Sequence, residues 1–188
     1  MSRELIPNTP QLPAIDRLEG RFVNLQPFLY TDISPEYVSW LNDPRVVQFS
    51  NQRFLQHSDL SCRNYLASFN ETPNRFFKIL KQTDGLMVGT MTAYYNPYHN
   101  TVDLGILVGD RSSWGQGVGL DAWSTLMNWL LSHAQVRKVT GGTMQCNKAM
   151  VKIMKHSGMA LEAVHLKQEL LDGKPQDLVY FGKFRNKL

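Results

Sequence analysis

Only two cysteines, Cys62 and Cys146, occur in the 188 residues, and they have no metal-type spacing. Neither a disulfide framework nor a cysteine metal site is expected; two reduced thiols in a cytoplasmic protein are. Basic residues never run four in a row, so the net charge of +4 points to no nucleic-acid partner, although it suits a small anionic ligand. No apolar stretch approaches the ~20 residues that a membrane helix requires. The first 16 residues have no apolar segment of the kind a secretory signal carries. Repeats, linkers and low-complexity runs are also missing, and with 43% hydrophobic and 19% charged residues the composition is that of a folded domain. The expected organisation is an extended, proline-bearing lead-in over residues 1–16 and a single domain over 17–188.

What the chain does have is a strand-length apolar run, Val102, Leu104, Ile106, Leu107 and Val108, followed by a loop with Gly115, Gly117 and Gly119. Beyond the loop Trp123, Leu126, Met127, Leu130, Leu131 and Ala134 recur at three- and four-residue spacing, one face of an amphipathic helix. Strand, glycine loop and helix N-terminus together make a phosphate site, because unpaired N–H groups and the positive end of the helix dipole converge where no side chain blocks approach. A Walker loop is excluded, since no Lys-Ser or Lys-Thr follows the glycines. Gly117, Gly119 and Ala122 satisfy G-x-G-x-x-A, but the next strand, ending at Met144, has no acid to hold a ribose. Glycines that merely ease a tight turn remain the plain alternative.

Other elements follow from local signals. Ser34-Pro35-Glu36 starts a helix that Asn42-Asp43-Pro44 stops. Ser58 caps a second helix with Leu60, Tyr65, Leu66 and Phe69 expected to face inward, ending near Asn70. Strands are expected over 21–25, 76–81, 86–95, 138–144, 161–171 and 178–184, with Asp84-Gly85 as a hairpin turn. Residues 46–55 read as a loop or short strand, and 147–157 as a helix closed by Gly158. The order gives an α+β fold with a mixed central sheet flanked by helices.

The ordered set D-L-G-I-L-V, W-G-Q-G-V-G, an amphipathic helix and N-K-A-M-V-K-I-M-K-H-S-G-M resembles the acetyl-CoA core of the GNAT N-acyltransferases, over roughly residues 18–184. Gly117 and Gly119 fill the small positions of the family's pyrophosphate loop, and Trp114 stands where Gln or Arg is usual. That form is similar to the branch of ribosomal-protein N-terminal acetyltransferases and sugar-modifying acetyltransferases. The resemblance implies central strands splayed at a bulge around 106–108, with acetyl-CoA as the acyl donor and no metal. It implies cofactor contacts at Ile106, Leu107, Val108, Gln116, Gly117, Val118, Gly119, Leu120, Asn147 and Lys152. Asn147 also reads as a helix cap, and Lys152 as part of a solvated helix face.

Acetyl transfer to an amine needs a proton acceptor and donors for a developing oxyanion. Asp103, on the strand feeding the loop, is the first candidate base, with a sheet-edge salt bridge as its other reading; His99 is next. The oxyanion is expected to meet N–H groups near 106–108. Many relatives carry a thiolate acid where this chain has Met150 or Met154, and neither can donate a useful proton. Tyr94, Tyr98 and His99 form an aromatic cluster that would line an acceptor pocket if its loop folds over the cleft. The expected activity is acetylation of a small-molecule primary amine, favouring an amino sugar or sugar nucleotide. A protein N-terminal acetyltransferase and a non-catalytic acyl-CoA sensor are the rivals, and a homodimer is left open.

Overall fold

The run at 101–108 forms the strand on which the rest of the sheet is assembled. A computed structural model describes residues 11–185. In chain order it contains β1 (Leu18–Glu19), β2 (Val23–Pro27), α1 (Pro35–Asn42), α2 (Asp59–Ala67), β3 (Arg75–Lys81), β4 (Met87–Asn96), β5 (Thr101–Val108), α3 (Val118–Ser132), β6 (Lys138–Met144), α4 (Lys148–His156), β7 (Ala160–Leu171) and β8 (Lys174–Phe184). Short 3-10 turns cover Tyr30–Asp32, Asn51–Phe54 and Arg111–Ser113. The strands make one eight-stranded sheet in the order β1-β2-β3-β4-β5-β6-β8-β7. Its β5–β6 pair is parallel, joined through α3, and the other neighbours are antiparallel. The architecture is the mixed α+β sheet expected.

Local chemistry sets the element ends. The Tyr37 N–H donates to Ser34 Oγ at 3.1 Å and the Ser61 N–H to Ser58 Oγ at 3.2 Å, so both serines cap their helices. Asp172 and Gly173, with φ of 49° and 73°, supply the two left-handed positions of a tight hairpin turn. The strand expected over 21–25 is β2 and begins at Val23, because the N–H groups of Arg21, Phe22 and Val23 converge on the carboxylate of Asp121 at 2.7–3.0 Å; the two-residue β1 before it was not expected. Leu60 does not face inward. It is exposed, and Cys62 and Leu66, four apart, form the buried stripe of α2, which stops at Ala67. Ala134 falls outside α3, since His133 is already extended. Residues 46–55 form turns and not a strand. Leu12 is buried and Ile15 packs on the core, so the last part of the segment read as a lead-in contributes to packing; its residues 1–10 lie outside the described ones.

The two sheet faces carry separate cores. Alternation sends Val102, Leu104, Ile106 and Val108 to the face covered by α3 and α4, with Trp123, Leu126, Leu130 and Met154 above them. The other face holds Phe76 and Leu107 under Tyr37, Trp40, Leu41, Cys62 and Leu66 of α1 and α2. The β5–β6 pairing covers just Thr101–Asp103 against Lys138–Thr140. Past that point β5 stays with β4 as far as Val108, and β6 stays with β8 as far as Met144. The two strands therefore part in a V with Asp103 at its apex. The expected bulge at 106–108 is absent, because the β4–β5 register runs unbroken. The irregularity comes at the next residues, where the N–H groups of Gly109 and Asp110 both donate to the Val88 carbonyl, at 2.9 and 3.1 Å.

Candidate active site

Backbone geometry builds one half of the site. Gly109 N–H points toward β4, so alternation along β5 turns the N–H and C=O groups of Leu104, Ile106 and Val108 to the open side of the V. The Val108 carbonyl is occupied there by the Trp114 indole N–H, at 2.8 Å. Among the described residues the N–H groups of Ile106 and Val108 face the open V beyond the last β5–β6 pair. Leu107 points the opposite way, onto the α1/α2 core, and its side chain forms part of the cavity wall on that face.

Gly117 stands at the N-cap of α3 with φ of 84°, a left-handed conformation that β-branched residues rarely take. Among the described residues the N–H groups of Val118, Gly119 and Leu120 have no acceptor, whereas the Asp121 N–H closes the first turn on the Gly117 carbonyl at 2.9 Å. A Cβ on Gly119 would stand 3.0 Å from Ile153 Cδ1 and 3.6 Å from Val108 Cγ2, so glycine lets α3, α4 and the end of β5 meet at this point. This is a cradle of free donors at a helix N-terminus, which fits a pyrophosphate. Gln116 is not turned toward it: its amide donates back to the Ser112 carbonyl at 2.7 Å. Val118 is buried under the loop. Asn147 caps α4 through the Met150 N–H at 3.2 Å, while its amide donates to Thr143 Oγ1 at 3.1 Å beside the V. Lys152 is exposed on α4 and lines neither cavity described below.

A cavity of about 590 Å³ runs from the V under α1 and α2. On the α1/α2 side its walls are Tyr37, Ser61, Cys62, Tyr65, Phe76, Thr90, Thr92 and Tyr94, with Ser50, Gln52 and His57 from the segment between the helices. Among the described residues no Asp, Glu, Lys or Arg lines it. The Tyr65 and Tyr94 hydroxyls share a hydrogen bond of 2.7 Å, and Phe69 stacks between Phe76 and Tyr94. Burial, then the bond to Tyr94, pushes the Tyr65 phenol well above its ordinary pKa. Burial likewise raises Tyr37 and the Cys62 thiol, so all three remain protonated at neutral pH. Met150 lines the cavity and Met154 is fully buried, so α4 presents no proton donor at either position.

A second cavity, of about 310 Å³, opens beside the apex of the V and shares Phe49, Gly142 and Thr143 with the first. Asp103 lines it, opposite Tyr94 in the β4–β5 register and so on the α1/α2 face of the sheet. Thr140 Oγ1 donates to its carboxylate at 2.7 Å. Solvent reaches the residue from the cavity mouth, yet the protein packed around the carboxyl desolvates it and raises its pKa, the bond from Thr140 opposing part of that shift. Among the described residues no cation pairs with Asp103, so the salt-bridge reading has no partner there.

The structure thus brings Asp103 and Tyr94 to the cleft and leaves Tyr98 and His99 outside it. Both lie in the β4–β5 turn at the closed end of the V, line neither cavity, and the His99 carbonyl accepts from Arg137 Nε at 2.8 Å. A hairpin turn continues away from the open end of its strands, which is why the tyrosine cluster divides. Sequence reading missed His57, Thr90, Thr92 and Thr140, and Tyr65 read as core packing alone. Alternation on β4 could have placed Thr90 and Thr92 on the face of Tyr94. No local signal marks His57. Among the described residues no group of three His, Cys, Asp or Glu side chains is placed to hold a metal ion.

A sheet parted into a V beside a glycine cradle at a helix N-terminus defines an acyl-CoA-binding transferase fold. A family model described as an acetyltransferase (GNAT) domain matches residues 23–160, and the chain belongs to that family. It is an acetyl-CoA-dependent N-acetyltransferase. The fold is similar to that of an acetyltransferase of the GNAT family from Bacillus anthracis (TM-score 0.77, 13% identity, 91% of this chain and 99% of that one). It is also similar to a spermidine N-acetyltransferase from Vibrio cholerae, in complex with CoA and spermine (0.78, 12%, 87% and 95%). A third is a ribosomal-protein alanine acetyltransferase from Vibrio fischeri (0.77, 13%, 91% and 97%). At such identities the likeness speaks for the fold. No protein of curated function matches the chain in sequence.

Proposed function

We propose that the chain acetylates the amine of a hydroxyl-bearing small molecule, an amino sugar by preference. The observation that carries this reading is the lining of the larger cavity. Among the described residues its walls offer hydroxyls and aromatic faces and no formal charge, and the carboxylates of Asp103 and Glu169 belong to the adjoining smaller cavity. Aromatic rings beside hydroxyls suit a sugar, which presents an apolar ring face and a polar rim. A polyamine would want carboxylates along its length. A sugar nucleotide would find no Lys or Arg on these walls to neutralise its diphosphate, so the bare amino sugar is favoured.

Site roles follow from position. The free N–H groups of Val118, Gly119 and Leu120 hold the pyrophosphate of acetyl-CoA, which supplies the acetyl group as a thioester. The open-side N–H groups of Ile106 and Val108 stand as donors for negative charge developing on the thioester oxygen. Asp103 accepts the proton of the attacking amine, directly or through water; its desolvated carboxyl is a stronger base than an ordinary aspartate. The CoA thiolate leaves without an acid from α4, which a thiol of pKa ~8.5 tolerates. A thiol-release assay with glucosamine, galactosamine, spermidine and a short alanine-terminated peptide tests the acceptor. Turnover should be highest with one of the two sugars. Turnover of spermidine or the peptide alone would end the reading, and tight acetyl-CoA binding with no turnover of either sugar would remove both sugars as acceptors.

A further inference from the structure

Residues 46–55 form a strap that borders both cavities: Phe49, Ser50, Gln52 and Leu55 line the larger one, and Phe49 and Asn51 the smaller. Among the described residues the hydrogen bonds of this strap stay inside it or return to the Asp43 carbonyl at its stem, with one exception. Arg53 Nη2 donates to the Leu170 carbonyl of β7 at 3.0 Å, 117 residues further along the chain. Nη1 of the same guanidinium donates to the Ser50 carbonyl at 2.8 Å, inside the strap. One planar fork therefore joins a carbonyl of the strap to a carbonyl of the sheet. Glu169 stands 4.0 Å from Nη2, beyond hydrogen-bond length, and contributes its charge alone. The residue opposite Leu170 on β8 is Pro175, which has no N–H, so β8 offers that carbonyl no donor. Although Asn51, Phe54 and Leu55 around it are exposed, the Arg53 side chain is only 13% exposed, and its Cζ lies 4.2 Å from the centroid of the Phe54 ring.

We propose that Arg53 is a positioning residue of the acceptor site, holding the strap against β7 so that its residues stay in place as walls of the acceptor cavity. The assignment rests on the reading of the larger cavity as the acceptor side, and not on the acceptor being a sugar. Arg53 lines neither cavity, so it acts through the strap and not on the acceptor. A strap freed from β7 occupies its pinned position for part of the time. An acceptor that needs that position then binds with an affinity lowered by the pinned fraction. At saturation the acceptor itself restores the pinned arrangement, so the cost falls on KM more than on kcat. The pyrophosphate cradle at the start of α3 shares no residue with the strap, so acetyl-CoA is held independently of it.

The test compares wild type with Arg53→Met, which keeps an apolar stem beside Phe54 and loses every donor, and Arg53→Lys, which keeps the charge beside Glu169 on a single nitrogen. Kinetics use whichever amine of the four above is turned over fastest, calorimetry follows acetyl-CoA, and hydrogen exchange is mapped along the whole chain. In Arg53→Met the acceptor KM should rise about 10-fold with kcat little changed and acetyl-CoA affinity unaltered. Amides of residues 46–55 should exchange faster while those of α3 and β5 keep their protection. Arg53→Lys should recover only part of the loss; full recovery would assign the effect to charge beside Glu169 and overturn the pin. An unchanged acceptor KM would overturn the proposal, and with faster exchange in the strap it would leave Arg53 as a local tie without a part in acceptor binding. Faster exchange throughout the chain with a parallel loss of acetyl-CoA affinity would overturn it in favour of a general structural role. The two readings fail separately, because the identity of the amine turned over decides the acceptor, whereas the change in its KM decides Arg53.

Discussion

Asp103 occupies the last rung of the β5–β6 ladder, with Thr140 beside it and Tyr94 across the neighbouring strand. That one position accounts for its access to the cleft and for its raised pKa. Burial favours the neutral acid, so the native state binds the proton more tightly than the unfolded chain does. The stability that goes with the protonated form is present below the unfolded pKa and is lost as pH rises through the raised one. Asp103→Asn keeps the acceptor atom for Thr140 and never ionises. Its melting temperature should therefore match or exceed wild type at pH 7, and its excess should shrink as pH falls through the carboxylate range. Thermal melts across pH check this; a marked drop at pH 7 would instead signal a structural ion pair. Asn147 combines two jobs, cap and Thr143 partner, so Asn147→Ala should lower stability by about 1 kcal/mol in denaturant melts. Asp103 was legible in the sequence as an acid on the strand before the glycine loop. Its face was not, because facing depends on the register of two strands that the sequence does not pair. His57 was not legible at all: it lies in the irregular segment before α2 and gains its setting from Asn42, 15 residues away.

The N-terminus of α3 is the element where local sequence and function coincide most closely. Gly117 takes a φ of 84°, and the donors that follow it are free. Gly117→Val would strain the backbone by roughly 1–3 kcal/mol and set a side chain at the cradle. Calorimetry should find acetyl-CoA affinity lowered at least ~10-fold in a protein that still folds, and unchanged affinity would remove the phosphate role from this loop. The same helix holds the start of the sheet. Asp121 accepts three main-chain hydrogen bonds from Arg21, Phe22 and Val23, and Asp121→Ala leaves those donors without their acceptor. A loss of about 2–4 kcal/mol in denaturant unfolding is expected, with the acceptor KM unaltered. Periodicity, caps and the Asp-Gly and Gly-rich turns were enough to place nearly every helix and strand. They failed where tertiary partners decide. Arg21 and Phe22 read as strand but give their N–H groups to Asp121, and α2 buries Cys62 where hydropathy favoured Leu60.

Across the whole molecule the sheet separates two tasks between its faces. The α3/α4 face carries the larger core and the cradle for the acyl donor. The α1/α2 face carries a smaller aromatic core that is left hollow over Thr90, Thr92 and Tyr94. In the proposed site donor and acceptor meet where β5 leaves β6, and Asp103 stands at that parting. The order of motifs made the donor half readable, since strand, glycine loop and helix are contiguous in the chain. The proposed acceptor half was opaque because its walls come from α1, the 50–65 segment, β3 and β4, which share no motif and meet only through packing. The most direct measurement is the pH dependence of kcat/KM for wild type and Asp103→Asn with the faster amino sugar. Turnover of the variant should be at least ~100-fold lower near pH 7 and recover in part at alkaline pH, where the amine loses its proton to solvent, with acetyl-CoA affinity little changed. Near-native turnover at pH 7 in a stable Asp103→Asn protein would contradict the account and move the base away from the apex of the V.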